Sequence, residues 1–86
     1  MRWDVVEVRP EAPGVLWVQF ADGLSGQVRL SPEDLTGVLM PLRDPEFFRR
    51  AYVDRGVVTL PNDIDLAPDA MYAEVLKEAE AARAHS

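Results

Sequence analysis

The sequence predicts an α+β domain: a small, largely antiparallel sheet of about five strands, short helical turns and one C-terminal amphipathic helix. Three observations predict it. Apolar and polar residues alternate with a period of two through the N-terminal third. Turn signals containing glycine, Asp22-Gly23 and Asp54-Arg55-Gly56, each join two strand-like runs closely enough to make a hairpin. A helical stripe of adequate length appears only after Pro68. Strands joined by hairpins pair antiparallel, and a single amphipathic helix can cover one face of the sheet they form.

Taken in order, Asp4 to Arg9 reads as a first strand, with Val6 and Val8 on one face and Trp3 and Val5 on the other. Pro10 to Gly14 holds two prolines and a glycine and reads as a turn. Val15 to Phe20 is a second strand whose faces are Leu16/Val18/Phe20 and Val15/Trp17/Gln19. After Asp22-Gly23 the chain returns as a third strand over Leu24 to Leu30, with Val28 among the residues alternating against Ser25, Gln27 and Arg29.

Ser31-Pro32-Glu33-Asp34 carries the signs of a helix start, a hydroxyl cap followed by proline and acids; Gly37 weakens that helix and Pro41 stops it. Asp44-Pro45-Glu46 repeats the grammar, and Phe47-Phe48 supplies that turn with buried anchors. Ala51 to Val53 and Val57 to Leu60 form the second hairpin, with glycine in the left-handed position. Pro61 to Ala67 reads as loop. The final helix starts at Pro68, runs to about Arg83, and buries the stripe Tyr72, Val75, Leu76 and Ala79. No linker or repeat divides residues 1–86, which we read as one domain, ordered from about 3 to 80 and frayed over 81–86.

Composition narrows the function classes. With 86 residues, 48% of them hydrophobic, there is material for one modest core, and an enclosed site for a large substrate would compete with it. There is no cysteine, which excludes disulfides and thiolate zinc sites. Asp4 and Glu7 interrupt the N-terminus where a secretory segment must be apolar, and no 18-residue apolar run spans a membrane, so the expected location is the cytoplasm. The only histidine is His85, next to the C-terminus, a poor anchor for a catalytic triad. Asp63, Asp65, Asp69 and Glu74 fit positions 1, 3, 7 and 12 of a calcium loop, but Ala67 and Pro68 occupy positions that need an oxygen ligand and a glycine. No phosphate-cradling glycine motif occurs. The sequence therefore offers no catalytic residues, no metal ligands and no cofactor, and the protein is expected not to be an enzyme.

The net charge of −6 opposes direct binding to nucleic acid. Two candidate surfaces remain. Trp3, Val5, Val15 and Trp17 share one face of neighbouring strands, either covered by another element or exposed as a partner-binding patch, for a different protein or for a second copy of the chain. Arg43, Arg49, Arg50 and Arg55 lie within 13 positions and form a candidate anion-binding region, interleaved with Asp44, Glu46 and Asp54, which can equally neutralise them.

Leu16-Trp-Val-Gln-Phe-Ala-Asp-Gly23, Pro41-Leu-Arg-Asp-Pro-Glu-Phe-Phe48, and Pro61-Asn62 followed by Asp65-Leu-Ala-Pro-Asp69 and Tyr72 resemble the bacterial family called domain of unknown function 2442. The resemblance covers about residues 3 to 76 and departs from the family pattern at Leu60, usually aromatic, and Asp63, usually small. It implies a small α+β fold without an established activity. Some relatives carry a helix-turn-helix segment, which this chain lacks, and many are encoded beside a protein of domain of unknown function family 4160. That arrangement implies a toxin–antitoxin-like pair of which an acidic chain would be one member. The leading expectation is a non-enzymatic protein-binding module. The alternative is a nucleic-acid-associated regulator acting through Arg43 to Arg55 or through a DNA-binding partner.

Overall fold

The computed structural model describes residues 2–31, 33 and 35–84. His85, and the Pro32 and Asp34 of the expected first helix start, lie outside the described residues. The fold is α+β, but its six strands form two three-stranded antiparallel sheets rather than one sheet of about five. β1 (Val5–Ala12), β2 (Val15–Phe20) and β3 (Ser25–Arg29) make the first. β4 (Tyr52–Asp54), β5 (Val57–Leu60) and β6 (Ile64–Leu66) make the second. Between them come a 3₁₀ helix (Gly37–Arg43) and the single-turn helix α1 (Pro45–Phe48); α2 (Pro68–Ala84) closes the chain.

The turns follow from their residues. Pro13-Gly14 links β1 to β2 with proline pre-set for the first turn position and Gly14 at φ +76° in the second, the type II pattern. Phe20 and Leu24 close the next hairpin: Gly23 N donates to Phe20 O at 2.9 Å, Phe20 N donates to Leu24 O at 2.8 Å, and Gly23 takes φ +93°. Arg55 (φ 52°) and Gly56 (φ 81°) join β4 to β5 as a two-residue loop with both residues left-handed, the turn whose twist matches that of the strands.

β1 departs from simple alternation. The register against β2 shifts between Val5 and Glu7 and again between Pro10 and Ala12. A one-residue bulge exchanges faces, so Val5 turns inward at 2% exposure, on the same side as Val8, and Val6 turns out at 57%. The expected pairing of Val5 with Trp17 fails for that reason.

Leu16, Val18 and Phe20 fill the centre of the core, as their alternation predicts, with Val28 beside them. Val58, Leu60 and Leu66 come from the second sheet, and Leu35, Leu42 and Phe48 from the connecting segment. Each such side chain contributes about 1.5–3 kcal/mol on full burial. The two sheets meet at Asp4 and Val5: Ala21 N donates to Asp4 O at 2.8 Å and Val5 N to Gly56 O at 2.9 Å.

α2 lies on the inner side of β3 because Gly26 has no side chain there. A Cβ at Gly26 would sit 2.9 Å from Val75 Cγ1. The buried stripe of α2 is Met71 and Val75, flanked by half-buried Tyr72 and Ala79, while Leu76 is 38% exposed. The expected stripe was therefore one residue out of phase on that side: Leu76 stands about 100° around the helix from Val75.

Two further expectations change. The segment Pro61 to Ala67 contains a third strand of the second sheet, Ile64–Leu66, paired with β5 and entered through an irregular turn with Asn62 at φ 69° and Asp63 at φ 58°. Pro41, expected to stop a helix, instead lies inside the 3₁₀ helix Gly37–Arg43. Gly37 at φ +59° blocks continuation from upstream, and Leu39 N–Thr36 O (3.1 Å) and Asp44 N–Pro41 O (3.1 Å) close i→i+3 turns at its two ends. No helix among the described residues is long and apolar enough to cross a membrane.

Candidate interaction surface

The outer face of the first sheet carries part of the expected aromatic patch. Val15 and Trp17 are there, half-buried. Val5 is in the core, and Trp3 packs half-buried against the core cluster. The structure thus separates the four residues that alternation placed together. Register sets Arg9, Trp17 and Gln27 in one row across the three strands. The Arg9 guanidinium lies 4.7 Å from the Trp17 ring centroid, a contact worth about 0.5–1 kcal/mol at an exposed site. Arg9 Nε also donates to Glu7 Oε2, and Gln27 Nε2 donates to Glu11 Oε1 at 2.8 Å. The Arg9 guanidinium covers the Trp17 ring and is itself held by Glu7.

The four arginines divide between elements. Arg43 ends the 3₁₀ helix, and its Nε donates to the Leu35 carbonyl at 2.8 Å. Arg49 caps the end of α1, Arg50 follows in the turn, and Arg55 occupies the β4–β5 loop. All four are exposed.

The calcium-like spacing does not gather its carboxylates. Asp65 is exposed on β6 and Asp69 is exposed in the first turn of α2. Among the described residues no three His, Asp or Glu side chains converge in a way that could hold a metal ion.

One titratable pair is coupled. Tyr72 Oη donates to Asp22 Oδ2 at 2.5 Å, while Asp22 Oδ1 accepts from Leu24 N at 3.0 Å. The Tyr72 hydroxyl, then the Leu24 amide, hold the Asp22 carboxyl below its ordinary range. The Asp22 hydrogen bond in turn raises the Tyr72 phenol. Asp22 stays ionised and Tyr72 stays protonated across neutral pH, so the pair fastens α2 to the hairpin rather than moving protons.

A third region was missed from the sequence. The Pro13-Gly14 turn faces the segment from Leu42 to Arg49 across a groove with two hollows. One, of about 220 Å³, is lined by Pro13, Gly14, Leu30, Leu35, Leu42, Arg43 and Pro45. The other, of about 130 Å³, is lined by Pro10, Glu11, Ala12, Pro13, Pro45, Phe48 and Arg49. Pro13 and Pro45 belong to both, so the hollows are neighbours on one surface.

Both walls are fixed locally. Leu30 N donates to Gly14 O at 2.7 Å, and a Cβ on Gly14 would stand 2.8 Å from Leu30 O. Asp44 Oδ1 accepts from Glu46 N at 3.0 Å and caps α1, with Pro45 at its first position. Each hollow is below the roughly 300–1,000 Å³ that encloses a drug-sized ligand.

The 3₁₀ helix that supplies Leu42 and Arg43 also exposes Val38 (80%) and Met40 (54%). A repeat of three turns Leu39 and Leu42 inward together and leaves Val38 and Met40 outside. The readable signal was the apolar run Val38-Leu39-Met40-Pro41-Leu42, more than one face of a 3₁₀ helix can bury.

No curated protein and no solved structure matches the chain. A family model matches residues 5–77, which span β1 through the greater part of α2 and include both walls of the groove. The chain belongs to the family described as Protein of unknown function (DUF2442).

Proposed function

We propose that this protein is a non-enzymatic, protein-binding module whose docking surface is the groove between Pro13 and Pro45 together with Val38 and Met40. The observation that carries the reading is the groove itself: a mainly apolar hollow and a second of mixed polar and apolar lining share Pro13 and Pro45, and the 3₁₀ helix that supplies Leu42 and Arg43 to the first also exposes Val38 and Met40. Rigid walls lose little entropy on binding, and side-chain-sized hollows suit anchor residues of a protein partner. Glu11 and Arg49 at one end present one charge of each sign, which sets the partner's orientation. The overall charge of −6 favours a basic partner through long-range attraction. A co-encoded small basic protein, with this chain as the acidic member of a toxin–antitoxin-like pair, fits that chemistry.

The test is co-expression with the product of the adjacent gene. Val38→Glu and Met40→Glu together should weaken the complex at least tenfold while leaving the melting temperature of the free chain unchanged, since both residues are exposed. A complex of undiminished affinity would place the docking surface elsewhere.

A further inference from the structure

The outer edge of β3 (Ser25–Arg29) lacks the usual protections against strand addition. Two hydrogen bonds fix the phase of the β2–β3 ladder: Phe20 N to Leu24 O at 2.8 Å and Leu30 N to Gly14 O at 2.7 Å. With the register Val18↔Gly26 and Leu16↔Val28 between them, the even-numbered residues of β3 bond to β2. The backbone N–H and C=O of Ser25, Gln27 and Arg29 therefore point away from the sheet. None of these groups has a backbone partner among the described residues, and all three side chains are exposed.

Other edges are protected. On β1 the corresponding positions include Pro10, which has no N–H, and two irregularities break its line. The edge strands of the second sheet are three residues long. β3 has no proline, bulge or inward charge along its five residues.

We propose that a second copy of this chain adds to β3 in antiparallel fashion, with the two-fold axis at Gln27, so that two first sheets merge into one six-stranded sheet. In that register Gln27 faces Gln27 of the other copy, and each Ser25 faces Arg29. Three opposed pairs, each bonded through both backbone groups, account for every outward group of the three residues. Charge selects this register over its neighbour: a shift that centred the pair on Arg29 would set two guanidiniums opposite one another.

Sedimentation equilibrium over a concentration series tests the pairing, and it is independent of the groove because neither Ser25, Gln27 nor Arg29 lines it. Wild type should show a monomer–dimer equilibrium. Gln27→Pro removes an outward N–H without touching the ladder to β2 and should be monomeric with an unchanged fold by circular dichroism. Ser25→Arg places like charges opposite each other at both ends and should weaken the dimer; Ser25→Glu should tighten it, each by about twofold to thirtyfold. General repulsion between chains of net charge −6 predicts the reverse order for the two Ser25 variants, so the signs are diagnostic. A wild type that stays monomeric at every concentration, or Ser25 variants shifting in the reverse order, overturns the proposal.

Discussion

Tyr72 Oη donates to Asp22 Oδ2 at 2.5 Å across 50 residues of sequence, and the same ring meets Phe20 edge-on at a centroid distance of 5.1 Å. One side chain thus fastens α2 to both the tip and the core side of the β2–β3 hairpin, with the Arg2 guanidinium 5.8 Å from its ring centroid.

The pH dependence of that fastening has two limbs. Asp22 is lowered from 3.8, so its stabilisation is present above that value and disappears as acid titrates the folded carboxylate below it. Tyr72 is raised from 10.0, so its part is complete below 10.0 and is lost as pH rises through the folded phenol's higher pKa. Tyr72→Phe keeps the ring against Phe20 and removes the donor. By carboxyl NMR the Asp22 titration should move upward in the variant; an unmoved titration would show that the bond does not form in solution.

Gly26 and Val75 should prove interdependent. Gly26→Ala drives a Cβ to 2.9 Å from a stiff β-branched side chain and should destabilise by about 1–3 kcal/mol in denaturant unfolding. Adding Val75→Ala removes the obstructing methyl groups, so the double variant should lose less than the sum of the singles, with coupling of about 0.5–3 kcal/mol. Strict additivity would mean that α2 shifts freely on the sheet.

Helix phase is tested by two neighbouring faces of α2. Met71→Ala should cost roughly 2–5 kcal/mol, because the side chain is buried in the core. Leu76→Ala should remain within about 0.5 kcal/mol of wild type. Reversal of that order would restore the stripe through Leu76.

Arg55 occupies a left-handed position at φ 52° that favours asparagine or glycine. Arg55→Asn creates the Asn-Gly turn and should raise stability by about 0.5–1 kcal/mol, read from the unfolding midpoint. A loss would assign the arginine side chain a stabilising contact.

The sequence made legible those features that depend on local chemistry. Asp22-Gly23 and Arg55-Gly56 state their turns through glycines that tolerate positive φ, and Asp44-Pro45 states its cap through a carboxylate acceptor followed by a proline pre-set for the first helical position. β2 is legible because its alternation is unbroken. The Val5 face was not, since a bulge shows itself only against the partner strand. β6 has three residues, too few for a period to declare itself, and its strand character comes from pairing with β5. The groove was hidden for a related reason: Pro13 and Pro45 each read as local punctuation, and only tertiary contact brings them to one surface. The outward phase of β3 likewise rests on which groups bond to β2.

The most direct test of the protein-binding reading is a map of backbone amide shifts in the ¹⁵N-labelled chain as the adjacent gene's product is added. Perturbations should concentrate on the amides of Glu11, Ala12 and Gly14 and on the non-proline residues from Leu35 to Arg49, with Val38 and Met40 among the largest. Saturable binding that shifts instead the row Arg9, Trp17 and Gln27 while leaving the groove unchanged would contradict it.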